Sequence, residues 1–172
     1  MWLDYTALQK KAIYRAFTAQ QRIDFWKAKL EETEKLNWNE KELKHIQKIA
    51  EFIDLHSEYF EGGLSIDEED VLDEFFYKWQ AYAIDSLGWS KKLIYAIAAT
   101  GERLQDKSGN IVQLGEKATI GVDRVVECDC SVKYDFCGVT GTSTCKESGS
   151  CTESDYGCGW IWLNDCTGLC DF

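Results

Sequence analysis

Proline is absent from the 172 residues of this chain, methionine occurs only at position 1, and histidine occurs only twice. Without proline, no ring breaks a helix from within and no proline-rich linker divides the chain. No apolar run approaches the roughly 20 residues that a bilayer-spanning helix needs; the longest candidate, "LIYAIAAT", covers only Leu93–Thr100. The two histidines, His45 and His56, are eleven residues apart. On one helix that spacing leaves them about 16 Å apart along the axis, too far to share a metal. No triad-like arrangement accompanies them, so we expect no catalytic residue, no enzyme and no cofactor. Positive charge is also scarce. The formal net charge is −11 and the pI is about 4.6, a balance that repels phosphate backbones and argues against nucleic acid as a partner. Cysteine is missing from the first 127 residues, and then eight follow in the last 45.

What is present suffices for a folded core. Hydrophobic residues make up 45% of the chain and aromatics 13%, well above the level of a disordered segment. The acidic excess is uneven. Residues 1–127 carry 17 Lys and Arg against 23 Asp and Glu, whereas residues 128–172 carry only Lys133 and Lys146 against seven acids. The opening "MWLDYTALQKK" has no basic region followed by an apolar one, which by itself points to the cytosol. The cysteines point elsewhere, and the two agree if a signal sequence has been removed.

The first hundred residues predict about five helices in a compact bundle. Tyr5, Leu8, Ala12, Ala16 and Phe17 recur at helical intervals in the first. Thr18 with Gln21, Asn39 with Glu42, and Ser65 with Glu68 have the spacing of capping boxes or similar starts, in which a side chain accepts from an otherwise unpaired amide. Behind them run the stripes Ile23–Trp26–Leu30, Leu43–Ile46–Ala50–Ile53 and Leu72–Phe75–Trp79–Tyr82–Ala83. Gly62-Gly63 and Gly88 read as the ends of the last two, and Ser90 caps a short apolar helix that ends at Gly101.

After Gly101 the pattern changes. "RLQDKSGNIVQLG" reads as two short strands around a turn, a β-hairpin within 102–125, and "ATIGVDRVVEC" as a further strand. From Cys128 onward Gly, Ser, Thr and Cys dominate; "GWIWLNDC" alternates Trp160 and Trp162 as a strand would. The expected architecture is mainly α: an N-terminal multi-helix bundle over 1–125 and a small disulfide-rich β/loop domain over 126–172.

The eight cysteines are Cys128, Cys130, Cys137, Cys145, Cys151, Cys158, Cys166 and Cys170. An even number in a loop-rich segment marks a disulfide framework. About 45 residues cannot bury enough surface to offset chain entropy, and each bridge contributes roughly 2–4 kcal/mol. Eight cysteines allow 105 pairings, so connectivity stays open. Zinc is the rival. It favours C-x2-C knuckles, and the closest pairs here are C-x-C (Cys128, Cys130) and C-x3-C (Cys166, Cys170), with no histidine in the segment. A catalytic thiol would need a nearby cation or helix N-terminus. Disulfides therefore carry the expectation, with no metal site, and they imply a secreted, cell-surface or periplasmic protein.

Three other features have a bland and a sharp reading. Tyr134, Phe136, Tyr156, Trp160 and Trp162 either pack over the disulfides and the helices or form a binding surface for carbohydrate, membrane interface or protein. Gly62-Gly63 either ends a helix or marks a leader cleavage site, although His56 and Ser57 fall where such leaders have other residues. "DEED" (Asp67–Asp70) lacks the spacing and turn glycine of a calcium loop and suits the first turn of a helix, where the dipole favours acids.

The residues from Cys128 on also carry a resemblance. "CDCSVKYDFC" (Cys128–Cys137), the continuation through Cys145 and Cys151 to "YGCGWIW" (Tyr156–Trp162), and the final Cys166 and Cys170 resemble the disulfide-rich bacteriocin fulvocin C and the proteins described as bacteriocin fulvocin C-related. The likeness covers about a quarter of the chain. It implies an exported bacterial protein with four disulfides and, more weakly, antimicrobial activity against a target-cell envelope component or receptor. The spacing of Cys166 and Cys170 is wider than that pattern, and the fulvocin peptide lacks the large helical region. The expectation is thus a bacteriocin-like exported protein; the alternative is a non-toxic secreted or cell-surface binding or structural protein.

Overall fold

The computed structural model describes residues 5, 7–112, 126–140, 144–147 and 149–171. Five helices lie in the first hundred residues: α1 (Ala7–Ala16), α2 (Ala19–Glu34), α3 (Glu40–Leu55), α4 (Ile66–Asp85) and α5 (Lys91–Ala98). Local chemistry starts four of them. Thr18 and Gln21, Asn39 and Glu42, and Ser65 and Glu68 form reciprocal capping boxes, and Ser90 accepts from the Leu93 amide at 3.2 Å. Each cap contributes about 1 kcal/mol by satisfying an amide that the helix leaves unpaired.

The stripes bury much as the spacing predicts, with two differences. In α1 the wholly buried aromatic is Tyr14, with Lys10 on the same face, while Ala12 and Ala16 are exposed. The small apolar residues offer little area, and the Lys10 stem covers apolar surface while its ammonium pairs with Glu102 at 2.6 Å. In α4, Phe76 rather than Phe75 is the fully buried ring, and Tyr82 is exposed.

The third helix also ends earlier than Gly62-Gly63 suggests. His56 leaves helical conformation at φ −130° and ψ 42°, and Ser57–Glu61 forms a 3-10 turn. That turn puts the consecutive Tyr59 and Phe60 into the core, and the Arg22 guanidinium donates to the Phe60 carbonyl at 2.8 Å. Gly62 then takes φ +127°, a conformation open to glycine alone at little cost.

The hairpin expected after Gly101 is present in brief form. Leu104 and Ile111 form an antiparallel bridge, the Gln105 amide donates to Asn110 at 2.7 Å, and the Val112 amide donates to Arg103 at 2.8 Å. The strand expected from Ala118 lies outside the described residues except at its end, where β1 (Val126–Glu127) pairs in parallel with β3 (Cys151–Thr152). The remaining elements are a one-turn helix α6 (Cys137–Thr140), β2 (Thr144–Glu147), β4 (Ser154–Cys158), β5 (Asn164–Cys166) and β6 (Gly168–Asp171). Strands β2 and β6 pair antiparallel with Cys145 opposite Cys170, and β4 and β5 pair antiparallel.

The two compositions meet in one core. Trp160, Ile161, Trp162 and Leu163 belong to the same buried cluster as Trp26, Ile46, Phe76, Trp79 and Ile97 of the helices. A smaller cluster of Cys128, Cys158 and Cys166 sits beside it. Among the described residues no helix is long and apolar enough to cross a membrane.

Candidate functional site

All eight cysteines are bonded: Cys128 to Cys151, Cys130 to Cys145, Cys137 to Cys170, and Cys158 to Cys166. Every bridge stays within the cysteine-rich part. Four disulfides are the covalent mark of an oxidising environment.

The staple is fastened to the helices through polar contacts on α1, α2 and α4. Lys11 donates to the Asp129 carbonyl. Arg15 donates to the Cys128 carbonyl at 3.0 Å, and the Tyr156 hydroxyl donates back to the Arg15 carbonyl at 2.9 Å. Arg22 lies 3.8 Å over the Tyr156 ring. On the far side Lys133 bridges Glu69 at 3.1 Å and Asp73 at 3.0 Å. The acidic first turn of α4 therefore receives one of only two cations in the cysteine-rich part. Burial pushes Lys11 down to about 8, against the attraction of Asp129. Inside the bundle Lys29 donates to the carbonyls of Ala96, at 2.7 Å, and Thr100. Burial pushes it down to about 7, with Glu102 opposing.

Trp160 and Trp162 do not share a strand face. They sit in a 3-10 turn in which Ile161 and Trp162 take φ +40° and +54°, an uncommon region for bulky side chains that costs of order 1–3 kcal/mol each. The turn sends the two indoles in different directions. Trp162 is 5% exposed and packs edge-on to Tyr14 and Trp26 and stacked on Phe25, with ring centroids 5.0–5.8 Å away. Only glycine fits at position 101 beneath it, since a Cβ there would lie 2.6 Å from the indole. Trp160, also 5% exposed, stacks on Phe76 at 4.7 Å and meets Phe136 edge-on at 4.8 Å. Both tryptophans are packed into the core, Trp162 among rings of α1 and α2 and Trp160 between Phe76 and Phe136, and of the two only Trp160 also lines a cleft. Tyr156 belongs to the fastening.

Tyr134 and Phe136 are half-buried, and with the edge of Trp160 they form the wall of a cleft of about 230 Å³. Gln80 of α4, Lys91 and Ile94 of α5, and Asp135 and Val139 complete its lining. The Asp135 carboxylate is held in place by the amides of Cys137 at 2.9 Å and Cys145 at 3.0 Å. The Tyr134 hydroxyl is buried and has no hydrogen-bond partner among the described residues. Gln80, Lys91, Ile94 and Val139 were not singled out in the sequence. One signal did exist: Lys91 and Lys92 stand in the first turn of α5, where the helix dipole disfavours cations.

The remaining candidates take their bland readings. His45 is buried, stacks on Trp79 at 4.7 Å and bonds the Trp79 carbonyl through Nε2 at 2.9 Å; burial pushes it down to about 4, so it is neutral at pH 7. His56 caps α3. Asp67, Glu68 and Glu69 lie in the first turn of α4.

Comparison with known proteins returned no match to a family model, to a curated protein or to a solved structure.

Proposed function

We propose that this chain is an exported bacterial protein whose function is to bind a small ligand in the cleft between α4, α5 and residues 134–139. The observation that carries the reading is the cleft itself. Aromatic walls beside a few convergent polar groups are the usual make-up of a ligand site, and the buried Tyr134 hydroxyl has no hydrogen-bond partner among the described residues. Tyr134, Phe136 and Trp160 line the cleft and give it an apolar, aromatic wall against which a sugar ring can pack. Gln80 can exchange hydrogen bonds with hydroxyl or acyl groups, and Lys91 offers a cation. An acidic saccharide of one or two rings suits that set. Binding of a panel of uronic acids and acidic N-acyl sugars, followed by ligand-observed NMR, tests it. At least one should bind, and Lys91→Glu, at an exposed position, should weaken it about tenfold or more. No binding across the panel, or equal binding by the variant, rejects the reading.

The cysteine rhythm from Cys128 to Cys170 favours a second reading, bacteriocin-like killing of related bacteria. On this reading the whole protein is the agent. Releasing residues 126–172 would take Trp160–Leu163 out of the shared core and expose the faces of α2 and α4. Growth inhibition by the intact, oxidised protein is the expected result; none at high concentration removes this reading.

A further inference from the structure

We propose that the ligand of this cleft is an amino sugar acid, a saccharide ring that carries a carboxylate and a free ammonium group together. The inference rests on the saccharide reading above and narrows it. Two of the lining residues are charged, and their signs are opposite. Lys91 opens α5, and Asp135 stands between Tyr134 and Phe136 of the aromatic wall. Among the described residues neither forms an ion pair, with the other or with a third group. The remaining nearby cations are engaged elsewhere. Lys92 donates to Asn110 at 2.5 Å, and Lys133 bridges Glu69 and Asp73. Two opposite charges thus face one cleft without meeting each other.

The carboxylate is prepared for a cation. The Cys137 amide donates to Asp135 Oδ1 at 2.9 Å and the Cys145 amide to Oδ2 at 3.0 Å. Both donors belong to disulfide-bonded residues, so the carboxylate keeps one orientation before a ligand arrives. A carboxylate has about four lone-pair sites, and the two amides take one on each oxygen. The others are left for the N–H donors of an ammonium group, as charge-assisted hydrogen bonds. An acceptor held in place in advance lowers the cost of binding. The cation is prepared for an anion. Lys91 lies in the first turn of α5, where the positive end of the helix dipole adds to its field. A ligand carboxylate there offsets a placement that the helix itself disfavours.

Charge balance then selects among sugars. One cation and one anion leave the lining with no net charge. A simple acidic sugar gains from Lys91 and loses to Asp135, and a simple amino sugar has the reverse balance. A ring that carries both charges gains from each. An N-acyl group removes the ammonium charge and leaves a single N–H to donate. The aromatic wall and Gln80 are indifferent to this exchange, because they meet the body and hydroxyls of the ring in every case.

The test compares three one-ring probes on the full, oxidised chain by ligand-observed NMR and calorimetry. Muramic acid carries both charges, N-acetylmuramic acid the acid alone, and glucosamine the amine alone. Muramic acid should bind about fivefold tighter than either of the others. Raising the salt from about 20 mM to about 0.5 M should draw the three affinities together. Asp135→Asn should erase the advantage over N-acetylmuramic acid, and Lys91→Gln the advantage over glucosamine. Far-UV circular dichroism checks that each variant is folded, and the salt series needs no variant. Silence from all three probes and from the uronic acids rejects the cleft reading itself. An N-acyl or uronic acid bound as tightly as muramic acid overturns this inference alone. So does a preference for muramic acid that persists in about 0.5 M salt or in a folded Asp135→Asn variant, and so does an advantage over glucosamine that survives Lys91→Gln.

Discussion

The helical part and the cysteine-rich part solve the same problem by different means. Residues 7–100 bury aromatic and aliphatic faces against one another, and four of their five helices start at a side-chain cap. The described residues of 126–171 form three two-stranded sheets and a one-turn helix around four covalent bridges. Neither is independent of the other, because the second contributes two indoles to the core of the first. Disulfides fix a loop-rich segment by restricting its unfolded states; they do not cover the open faces of α2 and α4. The turn at Trp160–Trp162 does that. The comparison teaches that a covalent staple and a packed core can be parts of one cooperative unit.

The sharpest way to break that comparison is Trp162→Ala. Truncating a buried tryptophan costs roughly 3–5 kcal/mol, and here the loss should fall on both parts at once. Urea unfolding followed in parallel by far-UV circular dichroism and by the susceptibility of the disulfides to reduction should give coincident midpoints, shifted together. Early reduction of the bridges with intact helices would show two separate units.

The next largest effect lies within the staple. Cys137–Cys170 spans 33 residues and Cys158–Cys166 only eight. On loop-closure entropy alone, C137A/C170A should destabilise by about 4 kcal/mol and C158A/C166A by about 2.5 kcal/mol. Chemical denaturation of the two variants measures the order. A reversed order would mean that packing around Cys158 and Cys166, both buried, outweighs chain entropy.

The smallest effect concerns the buried cations. Lys29 falls to about 7 and Lys11 to about 8 in the fold, both because burial disfavours the charge, whereas an unfolded lysine titrates near 10.4. Between those values the unfolded chain binds more protons, so stability should rise with pH, from about 7 for Lys29 and from about 8 for Lys11. The destabilisation is fully present below the folded values and is lost as pH approaches 10.4. Urea midpoints at pH 7 and pH 9 should increase in the wild type. Lys29→Met should flatten the rise through the bundle core, and Lys11→Met should flatten it through the junction. A wild-type midpoint that falls over this range contradicts the assignment.

The legible features are the ones whose chemistry is local. The caps at Thr18, Asn39, Ser65 and Ser90 depend on side chains three residues from the amides they satisfy, so spacing alone exposes them. The stripe of α2 was equally plain. Its neighbour α1 misled because lysine stems, usually read as solvent-facing, cover apolar surface there. The cleft was half legible: its aromatic wall stood out in the sequence, whereas Gln80 and Lys91 look like ordinary helix residues until the chain folds over them.

By itself, the order of residues determined where helices begin, which segment cannot hold together without covalent bonds, and that its cysteines pair. These outcomes depend on near neighbours and on composition. Only the tertiary structure decided which cysteine meets which, that Trp160 and Trp162 point apart, and that α1 is the ledge on which the staple rests. Those depend on contacts between residues far apart in the chain, such as Tyr156 and Arg15, 141 positions distant. They also depend on a strained turn that is held because two indoles find separate sites in a core built elsewhere in the chain.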